Sequence, residues 1–163
     1  NKYGRGNYPT SNNERTKLMI FISQSVEQTK DLAKKLAKQI SPGSIISLVG
    51  DLGTGKTTFT KGFAKQLGIR DHVTSPTFKL ISEYKTTNYI LYHIDAYRMD
   101  GPNDFLNIGG EEYLTSKNNV TIIEWGDLLE DLLPSRTITV NFTRIISSKD
   151  SRNIKISGIK FIG

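Results

Sequence analysis

The 163-residue chain has no cysteine, two histidines, one tryptophan and five prolines. Absence of cysteine excludes a disulfide frame, and two histidines without it argue against a structural zinc site. No apolar run approaches the length of a membrane span, and the opening NKYGRGNYPTSNNER lacks the apolar stretch of a secretory signal. These absences predict a soluble protein of a reducing cytoplasm with no membrane contact. A composition that is 36% hydrophobic over this length can bury one core and leaves little room for a second. The expected organisation is a polar, basic, disordered tail over residues 1–18 and a single domain over 19–163. The net charge of +6 fits that division, because Lys2, Arg5, Arg15 and Lys17 stand against Glu14 alone in the tail. The remainder is only mildly basic, so general nucleic-acid binding by the domain is not required, while contact of the tail with RNA or an acidic partner stays open.

What is present is concentrated in Gly50 to Thr57, GDLGTGKT, a complete GxxxxGK[ST] phosphate-binding loop. Apolar Ile45 to Val49 leads in as a strand, and Phe59, Phe63, Ala64 and Leu67 follow at helical spacing, which is the context the motif needs. Glycines at Gly50, Gly53 and Gly55 allow successive amides to converge on a phosphate chain at the positive end of the helix. Thr54 lies between them. Lys56 is placed to reach the β- and γ-phosphates as a point charge, Thr57 to ligate Mg²⁺ through its hydroxyl, and Thr58 to donate near the α-phosphate.

Around this loop the apolar periodicity predicts a helix over Ser25–Ile40, opened by a Ser25/Gln28 capping box and stopped at Pro42-Gly43. Strands are expected at the segment after Met19 and at Ile45–Val49, Phe78–Tyr84, Tyr89–Asp95, Val120–Trp125, Thr137–Arg144 and Asn153–Ile159. Further helices are expected at Lys56–Leu67, Pro102–Leu114 and Leu128–Leu132. Strand and helix alternate early and strands dominate late. The fold class expected is therefore three-layer α/β of the P-loop NTPase kind, with a mainly parallel sheet and antiparallel edge strands. Ligand should sit at the carboxyl ends of the strands.

A phosphate loop needs a second acid for its metal. Asp95 ends YILYHID and Glu124 ends NVTIIE, and both emerge at the loop's rim if their strands are parallel neighbours. Trp125 follows directly and can stack on a base or a partner, or simply pack. In HVTSPTF, Pro76 forces Ser75 out of helical geometry, so that Thr74, Ser75 and Thr77 either face a γ-phosphate or form a polar turn. Arg98 is a candidate partner for Asp95 or for phosphate, and His93 reads as a hydrogen-bonded structural histidine. Neither NKxD nor TKxD occurs, which favours ATP over GTP, and no arginine-rich lid marks a phosphate acceptor site.

The set GDLGTGKTT, VTSPTF, YHIDAYR and IIEWGD, in this order, resembles the TsaE family of bacterial ATPases, over about Met19 to Phe142. The resemblance implies a part in making the threonylcarbamoyladenosine (t6A) modification of tRNA, in which ATP hydrolysis resets a TsaB–TsaD complex between turnovers; contact with tRNA is expected to be indirect, with direct contact left open. It implies ATP and Mg²⁺ as cofactors. It places ATP on Gly53, Thr54, Gly55, Lys56, Thr57 and Thr58, magnesium on Thr57 and Glu124, activity on Asp95, a switch-like role on Ser75 to Thr77, and Trp125 near nucleotide and partner. The adenine then lies near Ser25 to Thr29. Gly109-Gly110-Glu111-Glu112 departs from the family's usual glycine-and-acid stretch. The residues by themselves leave two other readings open, a small-molecule kinase of the P-loop class and a non-enzymatic nucleotide-gated binding module.

Overall fold

A computed structural model describes residues 18–76 and 78–162; all but the last residue of the expected tail over 1–18, and the candidate Thr77, lie outside them. One sheet of seven strands runs in the order β1-β7-β6-β2-β5-β4-β3. Its strands are β1 (Met19–Ser23), β2 (Ile45–Val49), β3 (Ile81–Lys85), β4 (Ile90–Asp95), β5 (Val120–Glu124), β6 (Ile138–Ile145) and β7 (Ser148–Ser157). The middle four, β6, β2, β5 and β4, are parallel, and β3, β7 and β1 add antiparallel edges. The α/β class with antiparallel edges is thus as expected.

Burial explains why the middle is parallel. All five residues of β5 are buried, as are four of the five in β2, so both faces must be covered. Side chains alternate between two cores. Ile46, Leu48, Leu91, Val120 and Ile122 pack under helices α1 (Val26–Ala37) and α2 (Lys56–Gln66). Ile45, Ile94 and Ile123 point the other way, against Phe105, Leu114 and Leu129 from short helices α3 (Pro102–Asn107) and α4 (Glu111–Thr115) and the 3-10 helix Gly126–Leu132. Three layers result. No helix among the described residues is long and apolar enough to cross a membrane.

Helix α1 starts where expected: Gln28 N donates to Ser25 Oγ at 3.1 Å, although the Gln28 amide oxygen accepts from Gln24 N rather than from Ser25 N. Four expected elements differ, the first being the last strand, expected at Asn153–Ile159, which runs from Ser148 to Ser157 because it pairs back along β6 from Ile145. The strand expected at Phe78–Tyr84 begins only at Ile81, because Leu80, with φ 65°, turns to bond Pro76 O and Asp95 N instead of joining the ladder. The helix expected over Pro102–Leu114 is two short helices. Gly109, at φ 75°, ends the first, and a Cβ at Gly110 would stand 2.5 Å from the Phe105 ring. Leu128–Leu132 lies in the 3-10 helix, and Trp125 leaves β5 in the left-handed region at φ 60°.

Candidate functional site

The loop between β2 and α2 folds around its glycines, with Gly53 at φ 74° and Gly55 at φ 109°, conformations that side chains resist. Thr54 Oγ1 donates to Asp51 O at 2.7 Å and closes the turn from inside. Lys56, 5% exposed, donates from Nζ to Gly50 O and, at 2.9 Å, to Asp51 O, and lies 4.2 Å from the centre of the Trp125 ring. Burial lowers the pKa of this ammonium from its ordinary value, while Glu124, Asp95, Asp127 and Asp51 oppose the shift.

The two candidate acids arrive together. β4 and β5 pair in parallel with Asp95 opposite Glu124, and Ala96 N donates to Glu124 O at 3.0 Å. Both side chains are buried on the side of the sheet that α2 covers. Glu124 Oε1 accepts from Thr57 Oγ1 at 2.8 Å, and Glu124 Oε2 lies 2.6 Å from His93 Nε2. Asp95 Oδ2 accepts from Ser75 Oγ at 2.6 Å, and Oδ1 from Tyr97 N at 2.9 Å. Ser75 is thereby tied to the acid that ends β4.

These side chains line one cleft of about 420 Å³, whose walls hold Gly53, Thr54, Gly55, Lys56, Thr57, Thr58, Ser75, Asp95, Glu124 and Trp125. The described residues expected to hold ATP and magnesium or to act in catalysis are therefore in one place, whereas Thr74 and Arg98 are not among its walls. Tyr97 and Trp125, ring centres 5.0 Å apart, form one lip, and Ser25, Val26 and Thr29 of α1 form another. A larger cavity of about 1010 Å³ at the opposite ends of the strands, between Pro42, Leu114 and Ile159, holds none of them. Arg98 departs from expectation. Its guanidinium lies over the Phe78 ring at 4.6 Å rather than against Asp95.

Sequence reasoning missed several contributors, Tyr97 at the rim among them. His93 was legible as hydrogen-bonded, but its partner, 31 residues away, was not. Asp150 and Arg152 reach the cleft from the β6–β7 hairpin, and Arg152 donates to Gly53 O at 3.3 Å while Arg144 donates to Leu52 O. No local pattern marks a hairpin folding back over a loop a hundred residues earlier.

The donor set suits a triphosphate with magnesium. Converging amides at a helix start hold phosphate, and one hydroxyl with one carboxylate, both hard oxygens, matches a cation that keeps several waters and phosphate oxygens. Among the described residues no group of three or more His, Asp or Glu side chains could hold a metal by itself, which such a cation does not need.

A sequence profile of the family described as threonylcarbamoyl adenosine biosynthesis protein TsaE matches residues 23–154, from the end of β1 into β7. The chain belongs to the TsaE family. Its similarity to individual TsaE proteins is spread along the fold. A Bacillus subtilis protein named tRNA threonylcarbamoyladenosine biosynthesis protein TsaE is 41% identical over 133 residues, 82% of this chain and 81% of that protein. A Rickettsia bellii protein of the same name is 40% identical over 134 residues, 82% of this chain and 92% of that one. The crystal structure of Bacillus subtilis YdiB superposes with a TM-score of 0.71 at 36% identity, covering 91% of this chain and 88% of that one.

Proposed function

We propose that this TsaE-family chain is a magnesium-dependent ATPase of the cytoplasm that serves t6A formation in tRNA by regulating turnover of a TsaB–TsaD complex. The names of its relatives support the pathway. The observation that carries the chemistry is the convergence of Lys56, Thr57, Asp95 and Glu124 on one cleft at the carboxyl ends of β2, β4 and β5.

In this reading the loop amides from Gly53 to Thr58 hold the phosphates, and Lys56 exchanges its bonds to Gly50 O and Asp51 O for phosphate oxygens. Thr57 and Glu124 would hold magnesium. Bound there, the ion would neutralise charge on the phosphate oxygens. Asp95, fixed by Ser75 and by the Tyr97 amide, orients the attacking water. Trp125 and Tyr97 shape the rim where nucleotide and partner meet. Among the described residues, Arg144 and Arg152 meet the loop only through the carbonyls of Leu52 and Gly53, from the side of the β6–β7 hairpin. A cation for the transferring phosphoryl group then comes from the partner, so hydrolysis alone is slow and partner contact accelerates it. Contact with tRNA is made through the complex.

The test is reconstituted tRNA modification with TsaB and TsaD homologues, with and without this chain. Multiple turnovers should require the chain and be lost with Lys56→Ala or Glu124→Ala, and its ATP hydrolysis should rise when TsaB and TsaD are added. Fast hydrolysis indifferent to partners, or modification that proceeds equally without the chain, sinks the reading.

A further inference from the structure

His93 stands in β4 two residues before Asp95, on the same side of the sheet, with no exposed surface. Leu91, the preceding residue on the same face, and Ile94, which follows His93, are apolar and fully buried, which is what this depth of the sheet ordinarily selects. An imidazole here is therefore unusual. Nε2 lies 2.6 Å from Glu124 Oε2, and Nδ1 has no hydrogen-bond partner. An ionised carboxylate only accepts, and a neutral imidazole has one N–H to give, so the network assigns that proton to Nε2. The arrangement leaves a nitrogen unsatisfied in the core. Filling space does not explain that, since an apolar residue would fill it without an orphan atom.

The explanation lies in what the bond does to Glu124. That carboxylate is 3% exposed, and two side chains donate to it: Thr57 on Oε1 and His93 on Oε2. Thr57 is itself a candidate magnesium ligand, so its bond to Glu124 is exchanged when the cleft is loaded. His93 is on the far oxygen and keeps its hold. We propose that His93 is a positioning residue whose Nε2–H fixes Glu124 with Oε2 turned into the core and Oε1 presented beside Thr57, so that the pair is set for magnesium before nucleotide arrives. The proposal rests on the nucleotide reading above and deepens it.

Three proteins test it: wild type, His93→Gln and His93→Asn. The Gln amide nitrogen reaches about where Nε2 sits, whereas that of Asn stops near Nδ1, short of Glu124. ATP affinity is measured by calorimetry in excess EDTA and in excess Mg²⁺, so that the readout is the gain due to the ion and not the rate. Affinity in EDTA should agree within about twofold across the three, as expected where only the outer contact of a metal ligand is changed. The gain from Mg²⁺ should fall by about tenfold or more in His93→Asn, the usual effect of removing such a contact, and be mostly kept in His93→Gln. His93→Leu, which restores an apolar strand residue, gives the same comparison should the Asn variant fail to fold. A full Mg²⁺ gain in His93→Asn or His93→Leu, or an equal loss with and without the ion, overturns the positioning role and leaves the nucleotide reading standing. No Mg²⁺ gain in the wild type overturns both.

Discussion

Lys56 stands between opposing electrostatic demands. Burial disfavours its charge, four surrounding carboxylates favour it, and two loop carbonyls with the Trp125 face hold the ammonium in place. A phosphate chain satisfies the same ammonium with charge on both partners, a contact worth about 1.5–3 kcal/mol. Lys56→Ala should therefore weaken ATP binding by about 10- to 150-fold, since each 1.4 kcal/mol is about tenfold. Equilibrium titration with ATP and Mg²⁺ checks this, and an affinity unchanged in the variant removes Lys56 from the site. At this scale the sequence was most informative where the chemistry is local. Gly50 to Thr57 are contiguous, and Asp95 and Glu124 betray themselves by ending apolar strands. Contacts closed by the fold were illegible. His93 and Glu124 meet only because β4 and β5 are neighbours in register, and Arg98 lies over Phe78, twenty residues earlier, a contact that no local pattern marks.

Helices α1 and α2 are the elements that shape the cleft, since α1 supplies Ser25 and Thr29 near its start and α2 supplies Lys56 and Thr57. They cross at Gly62, where an added Cβ would stand 2.6 Å from Lys30 O and 2.7 Å from Lys30 Cα. Backbone cannot rotate away as a side chain does. Gly62→Ala gains about 0.8–1 kcal/mol of helix propensity and loses about 1–3 kcal/mol by forcing the helices apart, so the loss prevails. The variant should unfold at lower urea, and its ATP affinity should fall as the α1 wall moves off the loop; a variant more stable than wild type would show the helices free to part. Helix periodicity made both elements readable, but not the crossing, because a glycine in a helix looks the same whether it is a weak point or a contact. The same limit explains Pro102–Leu114, where an apolar pattern continued through Gly109-Gly110 although the backbone does not.

At the scale of the whole molecule, the proposed nucleotide site links binding to stability, because the cleft is assembled from the loop after β2, the ends of β4 and β5, α1, α2 and the β6–β7 hairpin and exists only when the sheet is complete. A ligand that binds the folded state alone adds RT ln(1 + [L]/Kd), about 2.7 kcal/mol at a concentration of 100 Kd. For a chain of this length each kcal/mol raises the unfolding midpoint by about 2–4 °C, so ATP with Mg²⁺ at that concentration should raise Tm by about 5–10 °C. Lys56→Ala at the same ATP concentration sits near 10 Kd or below, where the added stability is at most about 1.4 kcal/mol and the shift about 3–6 °C. Replacing Mg²⁺ by EDTA should also reduce the wild-type shift, through Thr57 and Glu124 alone. Scanning fluorimetry of both proteins under both conditions separates the two contributions. An ATP shift of equal size in wild type and Lys56→Ala would mean that nucleotide binds elsewhere, and the strand-end cleft would lose its claim to the triphosphate.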